Sequence, residues 1–426
     1  MTKNSEKRVP ALRFKGFTND WEQRKLGDKI TRIKSYSISH GYETMHDTNT
    51  KYIHYGDIHT GKVKIINDIN ILPNIKDNNY IGLNKGDIVV ADASEDYKGI
   101  ADACLVNTDT DSNKIVAGLH TIALRPQKDT YPQYLYTYLS TDIFKHFGYK
   151  TGTGLKVFGI SYKELAKFLV SSPSIKEQKE ISKLISLIEK NIDLQQRKLD
   201  QLKQLKKAYL SDLFSIKNKP QIRFKGFKGK WKKSKLLDNV SNIIDFRGKT
   251  PKKLGMDWSD QGILALSALN VKDGFIDKSI HAHYGDIKLY NKWMAGNKLH
   301  KRQVLFTTEA PMGNVAQVPD NDKYILSQRT IAFNVNKDKI SDFFLAMLLQ
   351  TTTVHNQLLS LSSGGTAKGI SQKSLSGLSV AIPLSLEEQR KMEMAFKYIN
   401  HLIHFQQDKI RYLEENKQFL LQNMFI

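Results

Sequence analysis

The sequence predicts a duplicated α+β (α/β) chain in which a mixed domain is followed, each time, by one long helix. The segment RFKGF at residues 13–17 recurs at residues 223–227, and Trp21 or Trp231 follows each copy at the same distance. Each half also ends in apolar residues at coiled-coil spacing. Since 426 residues make about three domains of ordinary size, two mixed domains and their helices account for the whole chain.

Further matches show that the repeat covers the full length of each half. The tripeptide GIS at residues 159–161 recurs at 369–371 with the spacing of the first repeat. After one inserted residue, Phe214 recurs as Phe425 near the end of the chain. The chain is therefore a tandem duplication of one structural unit.

Residues 20–165 and 230–375 have the composition of mixed domains. Short apolar runs bounded by turn residues predict strands at residues 85–91, 120–124, 302–307 and 329–333. Helical apolar spacing predicts helices within residues 131–147 and 340–359. Each segment therefore reads as an α+β or α/β domain of about 150 residues.

The end of each half carries a heptad seam, in which apolar residues step by alternating intervals of four and three. The first seam comprises Ile181, Ile185, Ile188, Ile192, Gln195, Leu199 and Leu202. The second comprises Met392, Phe396, Ile399, Ile403, Gln406, Ile410 and Leu413. Each helix of about 40 residues would extend roughly 60 Å. Both seams predict a helical partner.

The simplest pairing is an intramolecular antiparallel coiled coil, which relates the two halves by a pseudo-two-fold axis. Homodimerisation through four helices is the competing arrangement. Gln195 and Gln406 either fix the register through a buried contact or lie solvated at the seam edge, and both interpretations stay open. The predicted boundaries are residues 1–172 and 217–382 for the mixed domains, and 173–216 and 383–426 for the helices.

The charge balance predicts a polyanionic partner. Lys and Arg number 65 against 43 Asp and Glu, a net charge of +22, which favours nucleic acid over a membrane surface or an ordinary basic protein. Residues 217–235 contain nine Lys or Arg and no acid, with Phe224, Phe227 and Trp231 interleaved. This stretch is interpreted as a mixture of phosphate-contacting cations and structural aromatics, with a solvated linker as the alternative.

The remaining composition argues against export and membranes. The start of the sequence is charged, and the apolar run at residues 343–349 is too short to span a bilayer. A single cysteine, Cys104, permits no internal disulfide and no cysteine-based zinc site, and is expected to be a small buried residue. A cytoplasmic protein without a membrane partner is expected.

Three segments of the second half carry a family resemblance: RQVLFTTEAPMGNV at residues 302–315, GGTAKGIS at 364–371 and IPLSLEEQR at 382–390. Degenerate versions lie at residues 86–94, 152–161 and 172–178, where the Ala-Pro-x-Gly element is lost. In order and spacing, these segments resemble the DNA specificity (S) subunits of type I restriction-modification systems. The resemblance covers nearly the whole chain.

The resemblance implies a noncatalytic reader of double-stranded DNA with two target-recognition domains, each binding one half of an asymmetric bipartite site. The helices would set the gap and dock two modification subunits, which methylate adenine, and two restriction subunits would join them. S-adenosylmethionine, ATP and Mg²⁺ would then belong to those partners, and this chain would need no cofactor. In agreement, the sequence has no Pro-Pro pair of an aminomethyltransferase tetrapeptide and no complete glycine-rich nucleotide fingerprint. A freestanding DNA-binding protein is the alternative.

Polar and basic loop residues are the candidate DNA contacts, because donors and acceptors are needed to read base edges and phosphates. Three sets of loops qualify in the two halves, termed here the early, middle and late loops, and for each the alternative is a tight turn with solvated side chains. The candidates are Lys34, Ser35, Tyr36, Ser37, Arg247, Lys249 and Thr250 in the early loops, Asn314 in a middle loop, and Thr151, Thr153, Lys156, Thr366 and Lys368 in the late loops.

Overall fold

A computed structural model describes residues 9–94, 101–110, 113–154, 158–214, 220, 222–280, 282–364 and 368–426. The chain divides into two compact units. The first unit contains residues 1–196 and 408–426, and the second contains residues 197–407. Because both units mix helices with sheets and each contains parts of both long helices, the predicted α+β class and the duplication are confirmed.

The first unit is built on a five-stranded and a four-stranded sheet, with two further strand pairs. Its strands are Glu22–Lys25, Ile30–Ile33, Glu43–Thr44, Thr50–Ile53, Ile65–Ile66, Asn74–Ile75, Ile88–Ala91, Ala93–Ser94, Ala103–Val106, Lys114–Ala117, Thr121–Pro126, Phe158–Gly159 and Leu169–Ser172. Its short helices are Tyr55–His59, Pro132–Tyr138, Asp142–Thr151 and Tyr162–Leu165, with 3₁₀ turns at Leu26–Asp28, His40–Tyr42 and Ile69–Ile71.

The second unit has a four-stranded antiparallel sheet, a three-stranded sheet and one strand pair. Its strands are Lys232–Lys235, Val240–Asp245, Ile263–Leu266, Tyr284–Gly285, Val304–Thr307, Val315–Gln317, Ile325–Leu326, Thr330–Val335 and Ser379–Ile382. Its short helices are Ile287–Met294, Asp342–Leu349, Thr352–Leu361 and Gln372–Gly377, with 3₁₀ turns at Leu236–Asn239 and Pro251–Leu254.

The strand Ile88–Ala91 is apolar at every position, and the strand Val304–Thr307 is apolar at its first three, because each strand separates two cores. In the first unit, Ile88 and Val90 pack against the helices, while Val89 and Ala91 face the second sheet. In the second unit, the strand Val304–Thr307 divides its side chains between two cores in the same way. Alternate side chains of a strand point to opposite faces, so burial on both faces produces the continuous apolar run seen in the sequence.

Cys104 lies in the core between the two sheets of the first unit and is fully buried. Burial in this apolar environment raises the pKa of its thiol to about 12. The thiol therefore stays protonated at neutral pH and behaves as a small apolar side chain, as the sequence predicted.

Each predicted helix after the central sheet is in fact two helices. In the first unit, Thr141 ends one helix by donating to the carbonyl of Tyr138 (2.7 Å) and begins the next by accepting from the amide of Phe144 (3.4 Å). Thr351 performs both functions in the second unit. A threonine side chain competes well for backbone partners at a helix start, and the break was hidden because the apolar spacing continues across it.

The first long helix spans Ile175–Leu213 and the second long helix spans Leu386–Asn423. Within the first unit, Lys417 Nζ lies 2.6 Å from Glu189 Oε1, and Ile185 shares a core with Leu421. Position numbers thus rise along one helix as they fall along the other, which confirms the predicted antiparallel pairing inside one chain. The seam residues of both helices are buried or half-buried.

The two ends of the described chain meet in the first unit. The amide of Leu12 donates to the carbonyl of Asn423 (2.8 Å), and the hydroxyl of Tyr138 donates to the carbonyl of Ile426. Phe425 stacks on Tyr134 with ring centroids 5.4 Å apart. The final residues of the chain therefore complete the core of its first unit. Among the described residues, no helix has the length and apolar composition needed to cross a bilayer.

Candidate nucleic-acid interface

The early, middle and late loops of the second unit meet at one end of its central strand. The amide of Ile370, in the late loop, donates to the carbonyl of Thr308 in the middle loop (2.9 Å). The carbonyl of Ile370 accepts from Nη1 of Arg247 in the early loop (2.9 Å). This meeting point, comprising residues 245–250, 308–314 and 368–371, is termed the second loop junction.

The early-loop candidates of the second loop junction have structural partners. Asp245 accepts from Nε of Arg247 at 2.9 and 3.0 Å. Lys249 donates to the carbonyl of Trp293 (3.2 Å), and its Nζ lies 4.3 Å from the ring centroid of Phe246. Thr250 begins the 3₁₀ turn Pro251–Leu254, where it accepts a backbone hydrogen bond. These contacts fix the shape of the early loop.

The remaining candidates of the second loop junction differ in exposure. Asn314 is half-buried, and its Nδ2 donates to the carbonyl of Val271 (3.0 Å). Lys368 is exposed beside Gly369, whose amide and carbonyl pair with Ser363. The predicted contact at Thr366 lies outside the described residues. Lys368 is thus the candidate of this set whose ammonium group is presented to solvent.

The middle and late loops of the first unit also meet, and a residue of the strand before the early loop reaches them. The strands Ala93–Ser94 and Phe158–Gly159 pair with each other, and the amide of Ile160 donates to the carbonyl of Asp92 (2.9 Å). In the strand Ile30–Ile33, which precedes the early loop, the guanidinium of Arg32 lies 4.9 Å from the ring centroid of Tyr162. Residues 32–37, 92–94, 151–154 and 158–162 are termed the first loop junction.

Candidate side chains at the first loop junction again mix structural and exposed groups. The hydroxyl of Tyr36 accepts from the amide of Ile81 (2.8 Å), and Nζ of Lys34 lies 5.0 Å from the Tyr36 ring centroid. Ser35 is half-buried and Ser37 exposed. Thr151 donates to the carbonyl of Phe147 (2.7 Å), whereas exposed Thr153 pairs with Gly159 through the backbone. Lys156 lies outside the described residues.

Sequence reasoning missed one acid–base pair at each junction. In the first unit, Asp92 Oδ1 lies 3.3 Å from Nδ1 of His120. In the second unit, Glu309 Oε1 lies 2.9 Å from Nε of Arg329. Burial raises the pKa of the Asp92 carboxyl, and the nearby His120 and Arg32 partly oppose that rise. The sequence contained one signal for these pairs, which was the position of their residues. In each unit the acid follows one buried strand and the base precedes another.

The repeated RFKGF segments brace the starts of the long helices. Arg13 donates to both carboxylate oxygens of Glu177 (2.6 and 2.8 Å), and Arg223 repeats this contact with Glu388 (2.7 and 2.8 Å). Trp231 is buried, and its Nε1 donates to the same Glu388 (3.3 Å). The shared arginines and tryptophans are therefore structural, while the described lysines between residues 225 and 235 are exposed.

The second long helix carries another apolar stripe away from its seam. It comprises Tyr398, Phe405, Tyr412 and Phe419, which recur every seven residues and are 56–64% exposed. At equivalent positions, the first long helix exposes Leu187 and Leu194. Large apolar side chains exposed at helical spacing are typical of a surface that binds another protein. Within the described ranges, no group of three or more His, Cys, Asp or Glu side chains is arranged to hold a metal ion.

Comparison with known proteins gives this fold a family. The family described as the type I restriction modification DNA specificity domain matches residues 18–204 and 207–415, one match in each half. The type I restriction enzyme MjaVIII specificity subunit of Methanocaldococcus jannaschii is 24% identical over 94% of this chain and 91% of its own length.

Solved structures agree at the level of fold. The type I restriction-modification S subunit of M. genitalium superimposes with a TM-score of 0.58 at 12% identity, covering 98% of this chain and 99% of that subunit. A chain from a structural study of assembly and conformational transition in a type I R-M system gives 0.60 at 15% identity, with 96% and 98% covered. The chain belongs to the type I restriction-modification specificity family, whose members are noncatalytic DNA-recognition subunits. The predicted resemblance is thus confirmed.

Proposed function

We propose that each unit binds one half of an asymmetric bipartite site in double-stranded DNA. This proposal depends mainly on the convergence of the early, middle and late loops at one end of the central strand in the second unit, and on the meeting of the middle and late loops at the equivalent end in the first unit. A net charge of +22 supplies the long-range attraction to phosphate. Because the two junctions present different side chains, the two half-sites are expected to differ in sequence.

The bound chain would direct partner enzymes to this site. Two modification subunits would methylate adenine using S-adenosylmethionine, and two restriction subunits would cleave using ATP and Mg²⁺. The long helices would set the gap between the half-sites and dock the modification subunits. The exposed stripe of the second long helix supports docking, since the seam beside it is already covered by the other helix.

Lys368→Ala tests the phosphate contact at the second loop junction. We expect weaker DNA binding and a fall of about one in the slope of log affinity against log salt, because one phosphate contact and its released counterion are lost. Binding of the full chain to duplex DNA is measured across a salt series. Lys301→Ala, an exposed lysine at the other end of the strand Val304–Thr307, is the matched control. Equal slopes for wild type and Lys368→Ala would remove Lys368 from the interface.

Phe405→Glu tests docking on the exposed stripe. A carboxylate placed in an apolar contact must be desolvated, so we expect the modification subunit to bind at least tenfold more weakly. Co-purification and titration with that subunit measure the effect, and DNA binding by the isolated chain should not change. Gln407→Glu is the control, because it adds the same charge about 200° around the helix. If the Phe405→Glu variant binds the modification subunit as tightly as wild type, the subunit does not dock on this stripe. If the wild-type chain never recruits the subunit, the chain is a freestanding DNA reader.

A further inference from the structure

An exposed acid–base pair lies at the second loop junction, and its two side chains do not hold the loops together. Arg329 and Glu309 are 56% and 42% exposed, and 2.9 Å separates Nε from Oε1. Arg247 at the same junction is different, because it joins Asp245 to the backbone of Ile370. The pair of Arg329 and Glu309 is thus placed where the three loops meet, with both charged groups open to solvent.

The backbone fixes the position of this pair. Arg329 immediately precedes the strand Thr330–Val335 and has a φ of 64°, in the left-handed region that arginine rarely adopts. Its carbonyl accepts from the amide of Thr308 (2.8 Å), which sets it beside the middle loop. Glu309 follows at once, and it forms an isolated β-bridge with Gly369 of the late loop. The two side chains are therefore carried by backbone that other strands hold in place.

The first unit repeats the arrangement with different residues. His120 immediately precedes the strand Thr121–Pro126, has a φ of 54°, and accepts from the amide of Asp92 through its carbonyl (3.0 Å). Its ring nitrogen Nδ1 lies 3.3 Å from a carboxylate oxygen of Asp92. The base thus occupies the same position in both units, whereas the acid that pairs with it lies one residue later in the second unit, at Glu309 instead of Thr308.

The chemistry of the pair favours a base pair over a phosphate. A carboxylate beside a guanidinium weakens its attraction for a phosphate, because the two anions repel. In the major groove, however, the guanidinium matches O6 and N7 of guanine, and a carboxylate accepts from N4 of cytosine. One arginine and one glutamate side by side therefore present donors and acceptors that complement a G·C pair.

We propose that Arg329 and Glu309 read one G·C pair in the half-site bound by the second unit, with Arg329 on guanine and Glu309 on cytosine. This assignment rests on the proposed function, since it presupposes that the second loop junction enters the major groove. It makes Arg329 a specificity-determining residue that touches the DNA substrate without taking part in methyl transfer.

The test compares methylated motifs in cells that make the wild-type chain, Arg329→Ala, Arg329→Lys or Arg302→Ala with the modification subunit. Arg302 is the matched control, since it is exposed, has a φ of 72° and lies at the other end of the strand Val304–Thr307. Methylated adenines are mapped in genomic DNA, and thermal unfolding of each purified chain checks its fold. Arg329→Lys keeps the charge and the fold but loses the planar fork.

For both Arg329 variants we expect the preference for one G·C pair to fall about 5- to 150-fold, the range for one good bidentate contact. In cells with the Arg329 variants, the half-site bound by the first unit should be the same as in wild type. In cells with Arg302→Ala, the whole methylated motif should be the same as in wild type. If cells that make Arg329→Lys methylate the same motif as wild type, the assignment is overturned and the proposed function stands. This holds even if Arg329→Ala abolishes methylation. A wild-type chain that directs no split motif would overturn the proposed function, and the assignment with it.

Discussion

Replacing Phe425 with alanine is expected to lower the free energy of unfolding of the first unit by about 3–5 kcal/mol. The side chain is 2% exposed, stacks on Tyr134 and meets the edge of Tyr138 with centroids 5.4 Å apart. Removing the ring loses its apolar burial and leaves a cavity that the surrounding tyrosines cannot close. Although Phe425 is next to last in the sequence, the loss should fall on the unit that contains residues 9–196.

Hydrogen exchange resolved by segment measures this effect, because it reports each unit separately. Amides of the strand Ile88–Ala91 should lose protection, whereas those of the strand Val304–Thr307 should keep theirs. Phe419→Ala is the control, since it removes the same ring from an exposed site on the same helix. Its cost is expected to stay within about 0.5 kcal/mol. A Phe425→Ala chain as stable as Phe419→Ala would show that the end of the chain does not complete this core.

Deleting one heptad from each long helix is expected to abolish methylation at the original half-site spacing. Removing residues 191–197 and 409–415 shortens each helix by about 10 Å while the seam stays in phase. At about 3.4 Å per base pair, this corresponds to a spacer shorter by about three pairs. Mapping of methylated adenines in cells carrying the variant and the modification subunit provides the measurement.

The control variant replaces the same residues with heptads of equal length that keep the seam side chains. It should retain the original motif and its spacing, because the helix length is unchanged. Any methylation that the shortened chain still directs should lie at half-sites brought closer together. If the shortened chain methylates the original motif as efficiently as wild type, the helices do not set the gap.

Local patterns predicted much of this fold because they reflect burial directly. The run IVVA at Ile88–Ala91 is apolar throughout because both of its faces are covered, and the seam through Ile181 and Ile185 repeats because one helix face is covered. The break at Thr141 was not predictable in this way. Its physical cause is a side-chain cap, while the apolar spacing continues through it.

The sequence predicted the loops of the two junctions, but it did not predict which of their side chains bond to other groups of the protein. Arg247 and Lys368 look alike in the sequence, as basic residues beside glycine. Both residues are exposed, but the structure holds the guanidinium of Arg247 against Asp245 and against the carbonyl of Ile370, 123 positions away in the second case. Glu309 and Arg329 meet only because two strands bring them together. Contacts of this range depend on the register of the sheet, which local composition does not encode.

The central claim is that this chain chooses a split DNA site for a methyltransferase that it does not itself contain. The most direct measurement maps methylated adenines in cells that make this chain with its modification subunit, and in cells that lack only this chain. We predict a motif of two unequal half-sites that disappears when the chain is absent. A methylated motif that persists without the chain, or the absence of any motif that depends on it, would contradict the account.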